Sequence, residues 1–404
     1  MMEFGPVIRA LRHHKTGTLL AALQIAVSLA IIVNASFIIK QRADKISRPT
    51  GMDTDNIIVV SIRGVGENYD TVANITADLN LLRNLPGVVD AAPINQVPLS
   101  GSGSSTGLRT IADENVQAIS TARYQTDEHS MNTLGVNLIR GRNFYPEEIE
   151  PFIPGKTERK TPAVIVVTQA LADSLYPDDD ALGKPVYWGD MSSSTIVGII
   201  DHMQGSWVSW DGLDRNMIHP GIQADTFVRY IIRTEPGERD RLLPIIEERL
   251  TERNRQRVLR YIRTHEELIQ RSYELDRVMA RVLLIIISLL IAITALVIVG
   301  LASYFVSQRT RQIGTRRALG ATRADIIRYF LLENWLITTL GAVAGCVLTV
   351  LVAYWLETSF ELPRLDWRYP VAGVVVLWII SQAAAWVPAW RAAQIPPAIA
   401  TRNV

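Results

Sequence analysis

The sequence predicts an α-helical membrane protein with four transmembrane helices and a mixed α/β extracytoplasmic domain of two subdomains inserted between helices 1 and 2. Three observations lead there. Four apolar stretches are long enough to cross a bilayer, basic residues gather at one side of them, and a long net-acidic segment of ordinary globular composition separates the first two. The 404 residues are 48% hydrophobic and 20% charged. The mean hydropathy of +0.14 averages very apolar runs with a soluble-like segment. The single cysteine, Cys346, sits in an apolar run, so no intramolecular disulfide staples the extracytoplasmic part. Its roughly 240 residues are enough to hold a core without one.

A bilayer core about 30 Å thick needs about 20 apolar residues in a helix. Residues 17–39, 282–306, 330–356 and 371–390 meet that length. The second run has no charge in 25 residues, which argues against a buried helix of a soluble protein. The first is too long for a signal-peptide core and has no small-residue cleavage site after it, so it is expected to stay as an anchor. Orientation follows the basic residues at the span ends. The segment 1–16 carries Arg9, Arg12 and Lys15; the loop 307–329 carries Arg309, Arg311, Arg316, Arg317, Arg323 and Arg328; the tail 391–404 carries Arg391 and Arg402. Only Glu3 and Asp325 oppose them, whereas residues 41–279 carry 26 Lys/Arg against 34 Asp/Glu. Both termini and the arginine-rich loop are expected in the cytoplasm, and residues 40–281 and the short loop 357–370 outside. Trp355, Trp367 and Trp390 stand where aromatic belts form.

Within 40–281, Asn56–Ile62 is a β-branched run and predicts a strand. Asp70–Asn84 is amphipathic and helical until Pro86-Gly87 stops it, and a strand follows at 88–92. The same order recurs as a strand over Thr226–Arg233, a helix over Arg239–Arg253 and a strand over Arg257–Ile262. Two such units predict a split sheet with helices on one face. A second subdomain, about 97–220, reads as inserted into the first, with buried strands at Ala163–Val167 and Thr195–Ile200 and a polar loop at Ser100–Gly107. Thr264 to Met279 reads as a helix opened by a capping box with Glu267. With no Pro or Gly before span two, the two are expected to form one helix of about 40 residues, about 60 Å long.

The loop after span two holds the most information. Span two is expected to stay helical to Leu319, with Gly320 at the C-cap. Thr322 then suits an N-cap, with Asp325 in the first turn of the next helix. The chain thus reverses in a compact basic elbow. On charge alone the arginines need do no more than enforce topology and touch lipid headgroups. Without interleaved aromatics they do not suggest nucleic-acid binding.

Residues Arg311-Gln312-Ile313-Gly314-Thr315-Arg316-Arg317-Ala318-Leu319-Gly320-Ala321-Thr322, then Asp325-Ile326 and Phe330-Leu331-Leu332-Glu333, resemble the signature of the FtsX-like permeases. The tail 386–402, with Pro388, Ala392, Pro396 and Pro397, looks like that family's closing motif. The outer segment is similar to the MacB-type periplasmic core domain at Leu85–Val88, Arg140–Phe144, Gly183–Val186 and Ile196–Ile199, and so is Ile8–Arg12 before span one. The resemblance implies a bacterial inner-membrane ABC transporter permease that forms a dimer with a second copy or a paralogue. Two copies of an ATPase would bind ATP and Mg and grip the elbow through Arg311, Ile313, Gly314, Arg316, Arg317, Ala318, Leu319, Gly320, Ala321, Thr322 and Asp325. MacB-like relatives push substrates through a periplasmic adaptor and outer-membrane channel; others extract lipoproteins or regulate cell-wall hydrolases. MacB itself fuses an ATPase to the permease. Here no G-x-x-x-x-G-K-[ST] occurs and no nucleotide domain fits before Gly17, so the ATPase is expected to be a separate polypeptide.

Smaller signals point to structure more than chemistry. Glu333, a few residues into span three, is read as pairing with Arg328 or an elbow arginine. Gln24, Asn34 and Gln382 read as interhelical hydrogen-bonding residues. Gly341 and Gly345 form G-x-x-x-G, a close-packing motif directed within the subunit or across a dimer. His129, His202, His219 and His265 lack metal-ligand spacing. Ser105 matches G-x-S-x-G inside a Ser/Gly-rich run, without the strand and helix that a nucleophile elbow needs. Asp178–Asp180 reads as a solvated turn. No catalytic residue, bound cofactor or substrate-binding residue is assigned. A signalling receptor would leave spans three and four unexplained and need an output domain, yet 14 residues follow Trp390. A secondary transporter would need broken polar helices and inverted repeats.

Overall fold

The computed structural model describes residues 15–66, 69–158, 160–360 and 362–396. The Ile8–Arg12 motif, Glu3, Arg9, Arg12, Pro397 and Arg402 lie outside the described residues, as does the side chain of Lys15. In chain order the elements are α1 (Lys15–Ile46), β1 (Ile57–Gly64), α2 (Thr71–Arg83), β2 (Val88–Pro93), β3 (Ser105–Leu108), β4 (Ile119–Thr126) and α3 (Ser130–Leu134). Next come β5 (Leu138–Gly141), β6 (Pro151–Phe152), β7 (Val164–Thr168), α4 (Gln169–Leu175), β8 (Pro185–Tyr187), β9 (Ser193–Ile200), β10 (Asn216–Pro220), β11 (Ile222–Gln223) and β12 (Phe227–Thr234). The chain closes with α5 (Arg239–Arg253), β13 (Arg257–Thr264), α6 (His265–Ser272), α7 (Glu274–Gln308), α8 (Thr310–Ala318), α9 (Arg323–Phe360) and α10 (Arg368–Ala393). Two compact units result, Arg48–Leu275 and the helices on either side of it in sequence.

The α/β unit contains two larger sheets. The first is antiparallel, in the order β13-β1-β12-β2. It is built from the two strand–helix–strand segments, and this split β-α-β arrangement is ferredoxin-like. The apolar stripes of α2 and α5 cover one face, where Ile75, Leu79, Leu82, Leu242, Ile246 and Leu250 meet Ile58, Val60 and Ile232. Asp70 caps α2 by accepting from Ala73 N at 3.1 Å. Beneath α2 lies a fully buried carboxylate, Asp78, which takes Arg253 at 2.6 Å, Arg257 at 2.5 Å and the Tyr230 hydroxyl at 2.9 Å. Those partners stand on α5, β13 and β12, so one acid ties four elements together. A charge buried this deeply is tolerated because its oxygens are paired and hydrogen-bonded.

The second sheet runs β3-β4-β10-β7-β9-β5, with β8 also on β9. Reciprocal backbone bonds between Arg109 and Tyr187, 2.9 and 2.8 Å, join the end of β3 to the end of β8 and curl the sheet around Leu108, Ile165, Val167, Leu171, Ile196 and Met217. The polar loop expected over Ser100–Gly107 therefore ends in a strand. Residues 105–107 pair with Ser120–Ala122 of β4, because the backbone of even a Ser/Gly-rich edge finds ladder partners. Ser105 lies in β3, which leads to a turn and not to a helix.

In the helical unit α1, α7, α9 and α10 are each long and apolar enough to cross a membrane, and all four run beyond the expected spans. The expected single helix from Thr264 through span two is interrupted. α6 opens as anticipated, with Thr264 Oγ1 accepting from Glu267 N at 3.1 Å, but it closes at Tyr273, whose backbone leaves helical geometry (φ −97°, ψ 7°). Ser272 donates to Leu99 O at 2.6 Å and Tyr273 is only 2% exposed. Tertiary contacts override a helical sequence there.

Candidate functional site

The elbow between α7 and α9 is assembled from four local devices. The first is a break. α7 stops at Gln308, and Arg309 adopts φ −109°, ψ 13° before α8 begins, so span two does not continue as one helix to Leu319. Arg309 turns inward, and its Nη1 donates to both carboxylate oxygens of Glu333, at 3.1 and 2.9 Å. Arg309 is 8% and Glu333 2% exposed. Two charges held this far from water need one another, which accounts for the departure from helix at Arg309. Of the two expected partners, Arg328 is exposed, and Glu333 pairs with an elbow arginine, Arg309.

The second device is an anchor. Ile313 and Gly314 of α8 are buried, Ile313 in the core formed with Phe305, Ile326, Phe330 and Ala389. These two residues hold α8 down and are not available to touch a partner. The third is the stop at the end of α8. Gly320 N bonds to Arg317 O at 3.2 Å, and Ala321 N bonds to Arg316 O at 3.0 Å. This is the paired bonding of a Schellman motif, which requires a left-handed residue, and Gly320 has φ +99°. The fourth opens α9. Thr322 Oγ1 accepts from Asp325 N at 3.2 Å, while Asp325 accepts from Thr322 N at 2.9 Å. The box leaves two orphan amides satisfied at the tip.

Arg316 lies over the Tyr329 ring at 4.9 Å, and Arg317 donates to Ala321 O at 3.2 Å, so both arginines brace the hairpin. Leu319, 83% exposed, crowns it. Arg311, Ala318, Gly320, Thr322 and Asp325 are also exposed, and Ala321 is half-buried. The result is a rigid basic knob with an apolar tip. The sequence places Arg309 among the elbow arginines but does not tell which of them meets Glu333, because a residue at a helix end carries no signal of which way its side chain turns.

Behind the elbow, Gly341 and Gly345 face α1 of the same chain. A Cβ at Gly341 would meet Ala22 O and Ile25 Cβ at 2.8 Å, and one at Gly345 would lie 3.0 Å from Ala26 Cα and O. Asn34 donates to Thr349 O at 3.3 Å, Ser28 meets Thr294 at 2.9 Å, and Asn334 donates to Ser381 Oγ at 2.9 Å. Gln24 bonds Ser28 on its own helix at 3.2 Å. The amide nitrogen of Gln382 has no hydrogen-bond partner among the described residues. At the other end of α1, Arg42 and Lys45 reach Asp276 of α7 at 2.5 and 3.2 Å, clasping the two helices together.

The histidines of the α/β unit stand apart. His129 Nδ1 is 2.9 Å from Asp90, His202 Nε2 2.9 Å from Pro49 O, and His265 Nε2 2.8 Å from Pro98 O; His219 packs edge-on to Trp188. Burial lowers the pKa of His265. Asp127 lies between Arg83, at 2.6 Å, and His129; burial outweighs the arginine and pushes its pKa up to about 6.

Comparison with known proteins matches two regions of the chain. The MacB-like periplasmic core domain matches residues 18–243, more than half the chain, and the FtsX-like permease C-terminal region matches 284–397. The macrolide export ATP-binding/permease protein MacB of Mannheimia succiniciproducens is 22% identical, over 98% of this chain and 60% of that protein. The uncharacterized ABC transporter permease YknZ of Bacillus subtilis is also 22% identical, over 87% of this chain and 89% of its own length. This chain spans between half and three-fifths of the MacB proteins it matches. The crystal structure of the periplasmic region of MacB from Actinobacillus actinomycetemcomitans aligns with a TM-score of 0.33 and 14% identity, over 55% of this chain and 93% of that one. With one matched region running through the α/β unit and the other through the elbow and its flanking helices, the chain belongs to the MacB/FtsX-like family of ABC transporter permeases.

Proposed function

We propose that this inner-membrane permease turns ATP hydrolysis by a separate ATPase polypeptide into motion of its α/β unit, driving efflux of a substrate from the periplasm. The observation that carries the reading is the elbow: a short, doubly capped hairpin that offers Leu319 at its tip, with Arg311 and Arg316 on the helix that leads to it. A loop serving topology alone needs positive charge but not a Schellman stop, a capping box and a buried ion pair at its base. Rigidity is what a handle requires. The elbow and both termini face the cytoplasm, and the α/β unit lies on the opposite side.

Two copies of the ATPase, which bind the ATP and Mg, grip the elbows of a permease dimer made with a second copy or a paralogue. Closure of the ATPase draws the elbows together. Ile313 and Gly314 transmit that displacement inward, and α7 carries it to the far end, where Asp276 holds α1 to the same movement. Likeness to YknZ over most of that permease's length supports an ATPase on another chain. The name of the MacB relatives, macrolide export proteins, supports the direction of transport. A periplasmic adaptor and outer-membrane channel complete the route.

The test replaces Gly320→Val, which places a β-branched residue at φ +99°, and separately Arg316→Glu with Arg317→Glu. Both variants should insert normally and lose at least tenfold in transport per ATP hydrolysed. Normal transport with full stimulation of the ATPase would remove the handle from the mechanism.

A further inference from the structure

The segment 41–279 carries eight more acidic than basic residues, yet one end of its four-stranded sheet is basic. Across the strands, Arg63 of β1 stands opposite Phe227 of β12 and Val258 of β13. Two residues along, Ser61 stands opposite Arg229 and Tyr261. Arg260 occupies the irregularity where the β1–β13 register shifts. The guanidinium of Arg229 lies 4.3 Å and that of Arg260 5.1 Å from the centre of the Phe227 ring, and Arg263 lies 4.9 Å from that of Tyr261. Arg63 and Arg260 are exposed, and Val258 is 54% exposed.

None of Arg63, Arg260 and Arg263 makes an ion pair with a carboxylate among the described residues, whereas Arg229 donates to Asn95 O at 2.5 Å, and Arg253 and Arg257 nearby are bound to Asp78. Asp225, next to this end in sequence, is turned back onto Thr226 N at 2.6 Å. β13 is also an edge strand, with β1 as its single strand neighbour.

We propose that the open edge of β13 is a docking site for an extended acidic segment of a partner protein, which adds as a fifth strand and sets its carboxylates on Arg63, Arg260 and Arg263. An unpaired edge offers backbone donors and acceptors that an extended chain satisfies. The guanidinium fork matches a carboxylate in two parallel hydrogen bonds. Val258, on β13 itself, provides apolar ground for a side chain of such a strand. A second copy of the same edge is disfavoured, because it would bring its own arginines against these. A phosphate polymer would engage the arginines but leave the edge amides unpaired, so backbone protection separates the two kinds of ligand. The site owes nothing to the elbow and stands or falls separately from ATPase coupling.

The experiment uses the full chain in nanodiscs with a blocked decapeptide of alternating glutamate and valine, its lysine–valine counterpart, and inorganic polyphosphate. The glutamate peptide is expected to slow hydrogen exchange in residues 257–264, weaken with added salt, and lose at least tenfold in affinity for Arg63→Glu with Arg260→Glu. The neutral pair Arg63→Gln with Arg260→Gln, which keeps the size of the side chains, should lose a smaller part. No slowing at β13, equal slowing by the lysine peptide, or tighter binding of polyphosphate with β13 unprotected would each overturn the proposal.

Discussion

At Arg309 and Glu333 the helical unit holds two opposite charges almost out of water, an arrangement costly to break by halves. Removing one partner strands the other, at about 3–5 kcal/mol, whereas replacing both with apolar residues of similar volume is near neutral. Glu333→Gln should therefore lower the resistance of the purified permease to denaturant sharply, and Arg309→Leu with Glu333→Leu should restore most of it. Equal loss in both would mean that the pair acts through more than charge. Glu333 stands out in the sequence as an intramembrane acid paired with Arg328 or an elbow arginine, and the structure selects the elbow arginine Arg309. Arg328 lies five residues before it on the same helix, off the i,i+3/i,i+4 face, so spacing alone disfavours that pairing. Asp127 supports a second prediction. Its folded pKa, near 6, lies above its ordinary 3.8, so the protonated form is the one folding favours. The stability this confers is complete below about pH 4 and lost as the pH rises through 6. Arg83, Glu128 and His129 act on the same carboxyl, and Asp90 contacts Arg83 and His129 beside it. Asp127→Asn should flatten that stretch of a pH series of thermal melts, and an unchanged slope would contradict the assignment.

At the scale of elements, α1 and α9 pack backbone to backbone, because Gly341 and Gly345 let them approach. Overpacking a fitted contact costs about 1–3 kcal/mol per position. Gly345→Val should cut the yield of folded protein, and Gly300→Val, where an added Cβ meets open space, should not. Comparable losses in the two would show that the stripe is not a packing surface. The elements read correctly from sequence are those determined by short-range chemistry: the Gly320 stop, the Thr322–Asp325 box, α2 behind Asp70, and α5 across Arg239–Arg253. Those missed are determined by tertiary contacts. β10 is buried throughout, yet Asn216 and His219 disguise it as polar. Asn216 is accommodated because its side chain donates to Met203 O at 2.6 Å and Leu213 O at 2.8 Å. β4 hides in the same way behind Thr121 and Gln125, and the interruption at Tyr273 has no Pro or Gly to announce it.

For the whole molecule, the partition into a helical unit and an α/β unit was legible because their compositions differ so strongly. No residue of the α/β unit announces a ligand in the sequence, since its polar side chains carry no recognisable binding pattern. In the mechanism proposed, energy enters at one place, the hairpin crowned by Leu319, and everything else carries or uses it. The most direct measurement is photo-crosslinking from position 319, with a benzophenone amino acid replacing Leu319 in the native cell. The account predicts one dominant adduct, with a protein that carries a nucleotide-binding P-loop, intensified when ATP is trapped. Adducts with lipid alone, or with proteins outside the cytoplasm, would contradict it.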